Sequence, residues 1–256
     1  MASKTFWEAG IVIKKTKLGE SDLIISFLSK DGSKFQAIAK GARKPQGSLA
    51  SRLELFSEVD VLLTQGKNLS IVKECRLKNS HVKLRMAYEQ STCASALCEV
   101  FNKITHENLA VAKLYDLFVG CISHLEKSNT KSCYLLLVSC FLKACAFVGF
   151  KPSFTVCVSC GELVDLNSNA SASLDFSFSE GGILCHECAT EYDSYSYSAL
   201  QISWMYALLM SKFDDVSKMD CDESSLVYFL QFCDTWARLH LNAQIKALAV
   251  LVKDIT

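Results

Sequence analysis

The sequence predicts an α+β multidomain chain: a small N-terminal β-barrel, a mainly α-helical C-terminal domain, and a four-cysteine segment inserted among the helices. Three observations lead there. The hydrophobic period changes from two to about 3.6 near residue 81, the charge splits unevenly across the same region, and two Cys-x-x-Cys pairs interrupt the helical half.

Composition sets the frame. The 256 residues are 50% hydrophobic and 21% charged with two prolines, enough for a large core and unlike a disordered chain. Net charge is zero, yet residues 1–83 hold 15 Lys and Arg against 8 Asp and Glu, and residues 84–256 hold 12 against 19. A +7 part beside a −7 part implies two physically different modules, one suited to a polyanion. The opening MASKTFWEAGIVIKK has no apolar core followed by a small-residue cleavage site, so no signal peptide is expected. The most apolar stretch, Cys133 to Phe150, carries Lys143 and is short for a bilayer span, so it reads as a buried helix. No membrane association is expected.

The barrel is predicted over residues 1–80. Ala9, Ile11 and Ile13 begin a strand that ends at a Leu18-Gly19-Glu20 turn. Leu23–Leu28 and Phe35–Ala39 flank an Asp31-Gly32 turn, and Val59–Leu63 and Leu69–Val72 flank Gln65-Gly66-Lys67-Asn68. GARKPQGS makes a basic loop between the third and fourth strands. Five short strands with a long basic loop after the third fit an OB-type barrel, and other five-stranded barrels give a similar pattern.

Helices are predicted over residues 81–256. Met86, Cys93, Leu97, Phe101 and Ile104 form one stripe; Val111, Leu114, Phe118, Cys121 and Leu125 form the next. Cys133 to Phe150 is apolar nearly all round, and Pro152 is expected to stop it. Leu200–Phe213, Leu226–Ala237 and the stripe Leu241, Ile245, Leu248, Val252 complete the set.

The segment from about residue 155 to 195 interrupts this pattern. Cys157 and Cys160 lie in CVSCG, Cys185 and Cys188 in GGILCHEC, with 24 residues between the pairs. That spacing suits one tetrahedral Zn²⁺ with four thiolate ligands, a closed shell that leaves no position for substrate and so marks a structural ion. A Ser-Asn-rich stretch and the alternating Leu174, Phe176 and Phe178 fit a small ribbon whose folding energy the metal would supply. The remaining cysteines fall mostly among apolar residues, where they act as small hydrophobes. With the thiolate site, they favour a reducing, cytoplasmic setting.

Basic residues concentrate in the barrel: Lys14, Lys15, Lys17, Lys34, Lys40, Arg43, Lys44 and Arg52. Lys14, Lys40, Arg43, Lys44 and Arg52 are the expected contacts to a nucleic-acid backbone, with Lys40, Arg43 and Lys44 foremost because they flank Gly41 in a flexible loop. Phe6, Trp7, Phe27 and Phe35 could stack on bases, but aromatics on short strands are more often core, and none is assigned. No catalytic residue is assigned. His124-Leu125-Glu126 followed by Cys157 and Cys160 formally echoes a zinc nucleobase deaminase, but Val156 stands where a proline is expected and the second cysteine pair is left without a role. No phosphate-cradling glycine loop and no HExxH is present. A zinc-ribbon transcription or adaptor protein is the other alternative.

GIVIKKTKLGESDLIISFLSKDGSKFQAIAKGARK resembles the N-terminal barrel of RecO, the family of bacterial recombination mediators. CVSCG…FSEGGILCHEC is similar to that family's zinc-binding segment, and HLNAQIKALAVL to its last helix. The resemblance implies an OB-fold barrel, a helical domain and a zinc segment. It also implies binding of single- and double-stranded DNA, annealing of complementary strands, and loading of RecA onto strands coated by single-stranded-DNA-binding protein, with RecR as partner. A cytoplasmic, nucleoid-associated protein without catalytic activity would follow. Arg85 and Arg238 are the only arginines on the helical side, a departure that bears on partner contacts needing a basic pocket there.

Overall fold

A computed structural model describes residues 5–44, 49–166 and 173–255. Pro45–Ser48 of the basic loop and the Ser-Asn-rich residues 167–172 lie outside the described residues. The chain is a mixed α+β protein with an N-terminal five-stranded sheet, a helical C-terminal region and a four-cysteine cluster.

The strands are β1 (Thr5–Leu18), β2 (Asp22–Ser29), β3 (Lys34–Ala39), β4 (Glu58–Thr64) and β5 (Ser70–Asn79). Pairing runs β1-β2-β3-β5-β4 and returns to β1, closing the sheet on itself. β1 is long enough to serve two neighbours: Gly10–Leu18 pairs with β2, and Thr5–Ile11 with β4. A bulge between Val12 and Lys14 lets it turn from one partner to the other, so that Ile11, Val12 and Ile13 are all buried. The β3–β5 seam is thin, with only Ala37–Ser70 and Ile38–Ile71 paired, in parallel. Period-two burial builds the interior: Val59, Val61 and Leu63 of β4 meet Ile25 and Phe27 of β2, with Val72 and Cys75 from β5. Each such side chain contributes roughly 1.5–3 kcal/mol of burial. β5 runs well past the expected Leu69–Val72, because its later residues alternate too weakly in polarity to announce a strand.

Three helices complete the first compact unit, Met1–Glu126. They are α1 (Val82–Met86), α2 (Tyr88–Ile104) and α3 (Lys113–Leu125). Cys93, Leu97, Phe101 and Ile104 are buried as the stripe predicts, and Phe101 packs on Phe118 of α3 with ring centroids 4.6 Å apart. Met86 is not part of it. Ala87 is extended and breaks the helix, leaving Met86 84% exposed. The α2–α3 connection is held to the β2–β3 hairpin. Lys34 donates its N–H to the His106 carbonyl (3.1 Å) and its Nζ to the Asn102 carbonyl (2.7 Å) at the end of α2. Gly32 serves this contact twice: its φ is +83°, and a Cβ there would sit 1.9 Å from the Val111 oxygen.

One buried ionic group ties the sheet to α3. His81, 1% exposed and in the left-handed region (φ 45°), places Nε2 3.0 Å from Glu58 of β4 and Nδ1 3.1 Å from Glu126 at the end of α3. Its N–H also donates to Asn79 Oδ1. A ring with carboxylates at both nitrogens is satisfied as imidazolium, which donates from both. Burial alone favours the neutral ring; the hydrogen bonds and charges of Glu58 and Glu126 outweigh it and raise His81 above 6.5. The hydrogen bond from His81 lowers Glu58 below its ordinary 4.5, against the opposing effect of burial.

The second unit, Lys127–Thr256, is built round α4 (Thr130–Phe147). Asn129 caps its start by accepting the Ser132 N–H. Its end is set by Gly149 (φ +90°) and not by Pro152: Gly149 and Phe150 return their N–H groups to the Ala146 and Cys145 carbonyls, a Schellman arrangement. The ribbon follows, β6 (Ser173–Ser177), β7 (Gly182–Leu184) and β8 (Tyr195–Ser198), in the order β7-β6-β8. Then come α5 (Ala199–Met210), α6 (Phe213–Val216), α7 (Glu223–His240) and α8 (Lys246–Asp254). Ser198 and Gln201 form a capping box on α5. Leu241 and Ile245 are buried as expected but precede α8, with Asn242 at positive φ between them. Among the described residues α4 alone is long and apolar enough to cross a membrane, and 72% of that stretch is buried. Of its two lysines, Lys131 near the start pairs with Asp220 at 3.6 Å, and Lys143 is used internally, donating to Ser139 Oγ and to the Leu208 carbonyl near the end of α5.

The His81 group gives a pH signature. Its raised pKa makes a contribution that is full below about 6.5, the unfolded value, and is lost as pH rises through the folded value. Glu58, with a lowered pKa, contributes above 4.5 and loses this as pH falls through its folded value. His81→Asn keeps a residue tolerant of positive φ and should cost about 3 kcal/mol at pH near 6. In urea denaturation the gap to the parent should narrow as pH rises above neutrality; a pH-independent gap would contradict the assignment.

Candidate functional site

Two groups of side chains stand out, one in each unit. In the second unit the sulfurs of Cys157, Cys160, Cys185 and Cys188 all lie within 4.8 Å of one another, and Cys160 Sγ is 3.7 Å from Cys185 Sγ. Each pair sits on a tight turn. Gly161 (φ +79°) returns its N–H to the Cys157 carbonyl, and Cys157 N–H donates to the Glu162 carbonyl; Ala189 N–H donates to the Cys185 carbonyl. The two turns are joined through backbone, since Val158 N–H donates to the Ile183 carbonyl of β7. Burial opposes ionisation of Cys157, but N–H groups of Cys160, Cys185 and Ser159 outweigh it and bring this thiol to about 6. The Glu162 N–H favours the Cys160 thiolate, yet the neighbouring sulfurs push Cys160 up to about 12. Four thiols this close cannot all ionise unless a cation lies among them, and that is the chemistry of a metal site.

The sulfur cluster is backed by aromatic packing. Phe176 of β6, Phe178, Phe154, and Phe232 and Trp236 of α7 form a continuous ring stack, Phe232 on Trp236 at 5.6 Å and 10°. His240 Nε2 donates to the Phe178 carbonyl at 2.7 Å. The ribbon therefore leans on α7 on one side and on the cysteine turns on the other.

In the first unit, Lys40, Arg43 and Lys44 follow β3, all exposed. They are anchored rather than free-swinging as the glycine implied. Asp22, at the start of β2, accepts the Gly41 N–H at 2.8 Å and the Ser21 hydroxyl at 3.0 Å. Arg43 donates its N–H to Ser21 and its Nη1 to Gly19, and Lys44 N–H returns to Gly41. The Gly41 and Ser21 hydrogen bonds, with Lys40 and Lys44 nearby, lower the Asp22 pKa. The basic residues are thus gathered against the β1–β2 turn. Lys14 is exposed on β1 opposite Ser26, while Lys15 is ion-paired with Glu54 at 2.7 Å. Arg52 instead binds the Cys75 carbonyl of β5 at 3.0 Å. Asp22 is the residue that sequence reasoning missed; its only signal is position, directly after the turn.

Comparison with known proteins is decisive. Residues 1–81 match the family described as recombination protein O N terminal, and residues 85–249 that described as recombination protein O C terminal. The chain belongs to the recombination protein O family. Proteins named DNA repair protein RecO are similar over most of their length. The one from Alkaliphilus metalliredigens is 31% identical over 82% of this chain and 83% of its own. Those from Bifidobacterium adolescentis (28% over 96% and 98%) and Acetivibrio thermocellus (32% over 70% and 69%) are comparable. Membership in recombination protein O supports a role in DNA repair and recombination. The basic turn lies in the N-terminal family segment and the sulfur cluster in the C-terminal one. The deaminase alternative finds its histidine and glutamate engaged elsewhere: His124 Nδ1 donates to the Gly120 carbonyl within α3, and Glu126 is bound to His81.

The stack gives an optical test of the metal site. A strong chelator should strip the ion, loosen the cysteine turns and red-shift emission from Trp236, which is 1% exposed. Cys157→Ser should show the shifted spectrum without chelator. Unchanged emission on metal loss, with loss verified by elemental analysis, would mean that the ribbon holds itself.

Proposed function

We propose that this protein is a non-catalytic DNA-binding mediator of recombinational repair that anneals complementary single strands. With RecR, it would help load RecA onto strands coated by single-stranded-DNA-binding protein. The observation that carries this is the anchored group of Lys40, Arg43 and Lys44 within residues 1–83, whose charge balance is +7, in a chain of this family.

The five-stranded sheet supports an OB-type reading. Its order β1-β2-β3-β5-β4, with β3 and β5 parallel and the ring closed by β1, is the connectivity of that barrel. In OB folds the β1–β2 loop and the faces of strands 2 and 3 meet oligonucleotides, and here the basic residues gather at the β1–β2 turn. Lys14, Lys40, Arg43, Lys44 and Arg52 would contact phosphates. Single and double strands both present phosphates, so backbone neutralisation serves both. It lowers the repulsion between complementary strands and promotes annealing without reading sequence. RecR and the single-strand-binding protein enter this proposal through the family alone.

We assign Zn²⁺ to the sulfur cluster, one ion per chain. Tetrahedral zinc with bonds of about 2.3 Å spaces its sulfurs about 3.8 Å apart, and the Cys160–Cys185 separation is 3.7 Å. Cys157, Cys160, Cys185 and Cys188 would fill the shell, so the ion supplies folding energy to the ribbon and takes no part in DNA chemistry. Thiolate ligands fit the reducing cytoplasm in which this repair would occur.

Replacing Lys40, Arg43 and Lys44 together should flatten the salt dependence of log affinity by roughly two to three units. Affinity should fall similarly for all sequences and annealing should fall with it, while zinc content stays at one per chain. An unchanged salt slope would place the DNA path elsewhere, with Lys14 and Lys17 the next residues to test.

A further inference from the structure

Large aromatics on the sheet divide into two kinds. Phe27 is fully buried and Phe35 stacks on it at 4.6 Å and 10°, so these two are core. Trp7 is 42% exposed on β1, with the Arg76 guanidinium carbon 4.1 Å from the centre of its ring. An indole half open on a strand presents a flat apolar face to solvent, the surface that a planar ligand can stack on.

The register shows how the pair arises. Trp7 stands opposite Leu62 of β4, Ala9 opposite Asp60, and Asp60 opposite Arg76 of β5. Arg76 therefore reaches diagonally across β4 to lie over Trp7. Ala9, the small residue between them, leaves a cleft of about 220 Å³ bounded by Trp7, Glu8, Ala9, Asp60 and Arg76. The nearby carboxylates are all engaged: Glu8 accepts the Ser29 hydroxyl, Asp60 pairs with Lys78 at 2.8 Å, and Glu74 pairs with Arg76 at 3.0 Å. Glu74 fixes Arg76 through Nε. Two planar, π-faced groups are thus held together beside a shallow cleft on the unit that carries the excess of positive charge.

We propose that Trp7 and Arg76 form a stacking site for one nucleobase of a single strand. The inference rests on the DNA-binding reading above and adds to it a contact with a base rather than a phosphate. Stacking on an indole is tolerant of sequence, because every base has a π-face, and a guanidinium contributes both a plane and a charge. A paired base in duplex has no free face to offer, so this site gives the protein a preference for single strands that the lysines of the basic turn do not.

The test uses the full chain with two fluorescein-labelled probes, an oligothymidylate of about 16 nucleotides and an abasic oligomer of equal length and charge. The parent should bind the oligothymidylate more tightly. Trp7→Ala should weaken thymidylate binding by about 5- to 150-fold while leaving abasic affinity and the salt slope unchanged. Trp7→Phe should retain most of the affinity and lose the quenching of tryptophan emission that thymidylate causes in the parent. Arg76→Lys, which keeps the charge but loses the plane, should weaken thymidylate binding selectively. Equal weakening of both probes by Trp7→Ala, or none, would overturn the proposal while leaving the phosphate reading intact. A parent that binds neither probe would overturn both.

Discussion

The double pairing of β1 is the constraint on which the first unit depends. One strand of 14 residues must serve β4 with its first half and β2 with its second, and a single bulge manages the change of partner. Its far end delivers the Gly19 turn to which the basic residues are bound. Its near end sets Trp7 within reach of Arg76. A one-residue slip would reverse the two faces of β1, taking Val12 out of the core cluster and moving both features at once.

Much of this was legible in the sequence, for reasons that differ from element to element. β4 shows period-two alternation because one face is core and the other is not, so Val59, Val61 and Leu63 announce themselves. The cysteine pairs are legible because two thiols that share one ion must keep a fixed spacing within a knuckle, and a cluster that could hold an ion keeps it here. β5 beyond Val72 is not legible, since its outward face is a row of charges whose strand character comes from pairing with β4. Met86 fits a helical stripe on paper, but the extended Ala87 separates α1 from α2. The end of α4 was assigned to proline when glycine already ends it three residues earlier. Glu58, His81 and Glu126 carry no local signal at all. They meet only after the sheet and α3 have formed, and no periodicity spans that distance.

The basic turn shows the same division between composition and placement. Lysines and arginines can be counted from the sequence, but their usefulness depends on being held in register. Asp22 does this with one carboxylate that takes a backbone N–H and is flanked by two lysines. An acidic residue in the midst of a basic cluster is here a positioning device: it fixes the turn that would otherwise spend its charge over many orientations.

The chain holds thirteen cysteines, and their distribution would make it a reporter of whether an ion fills the sulfur cluster. The nine outside the sulfur cluster are all buried, and burial pushes Cys75 and Cys221 to about 11. Within the cluster only Cys157 is buried. An alkylating reagent added to the native protein therefore meets an almost binary choice: ligands capped by an ion react slowly, and the same ligands without it react first. Mass spectrometry of the labelled chain would read site occupancy directly, as a number of adducts, in a crude extract.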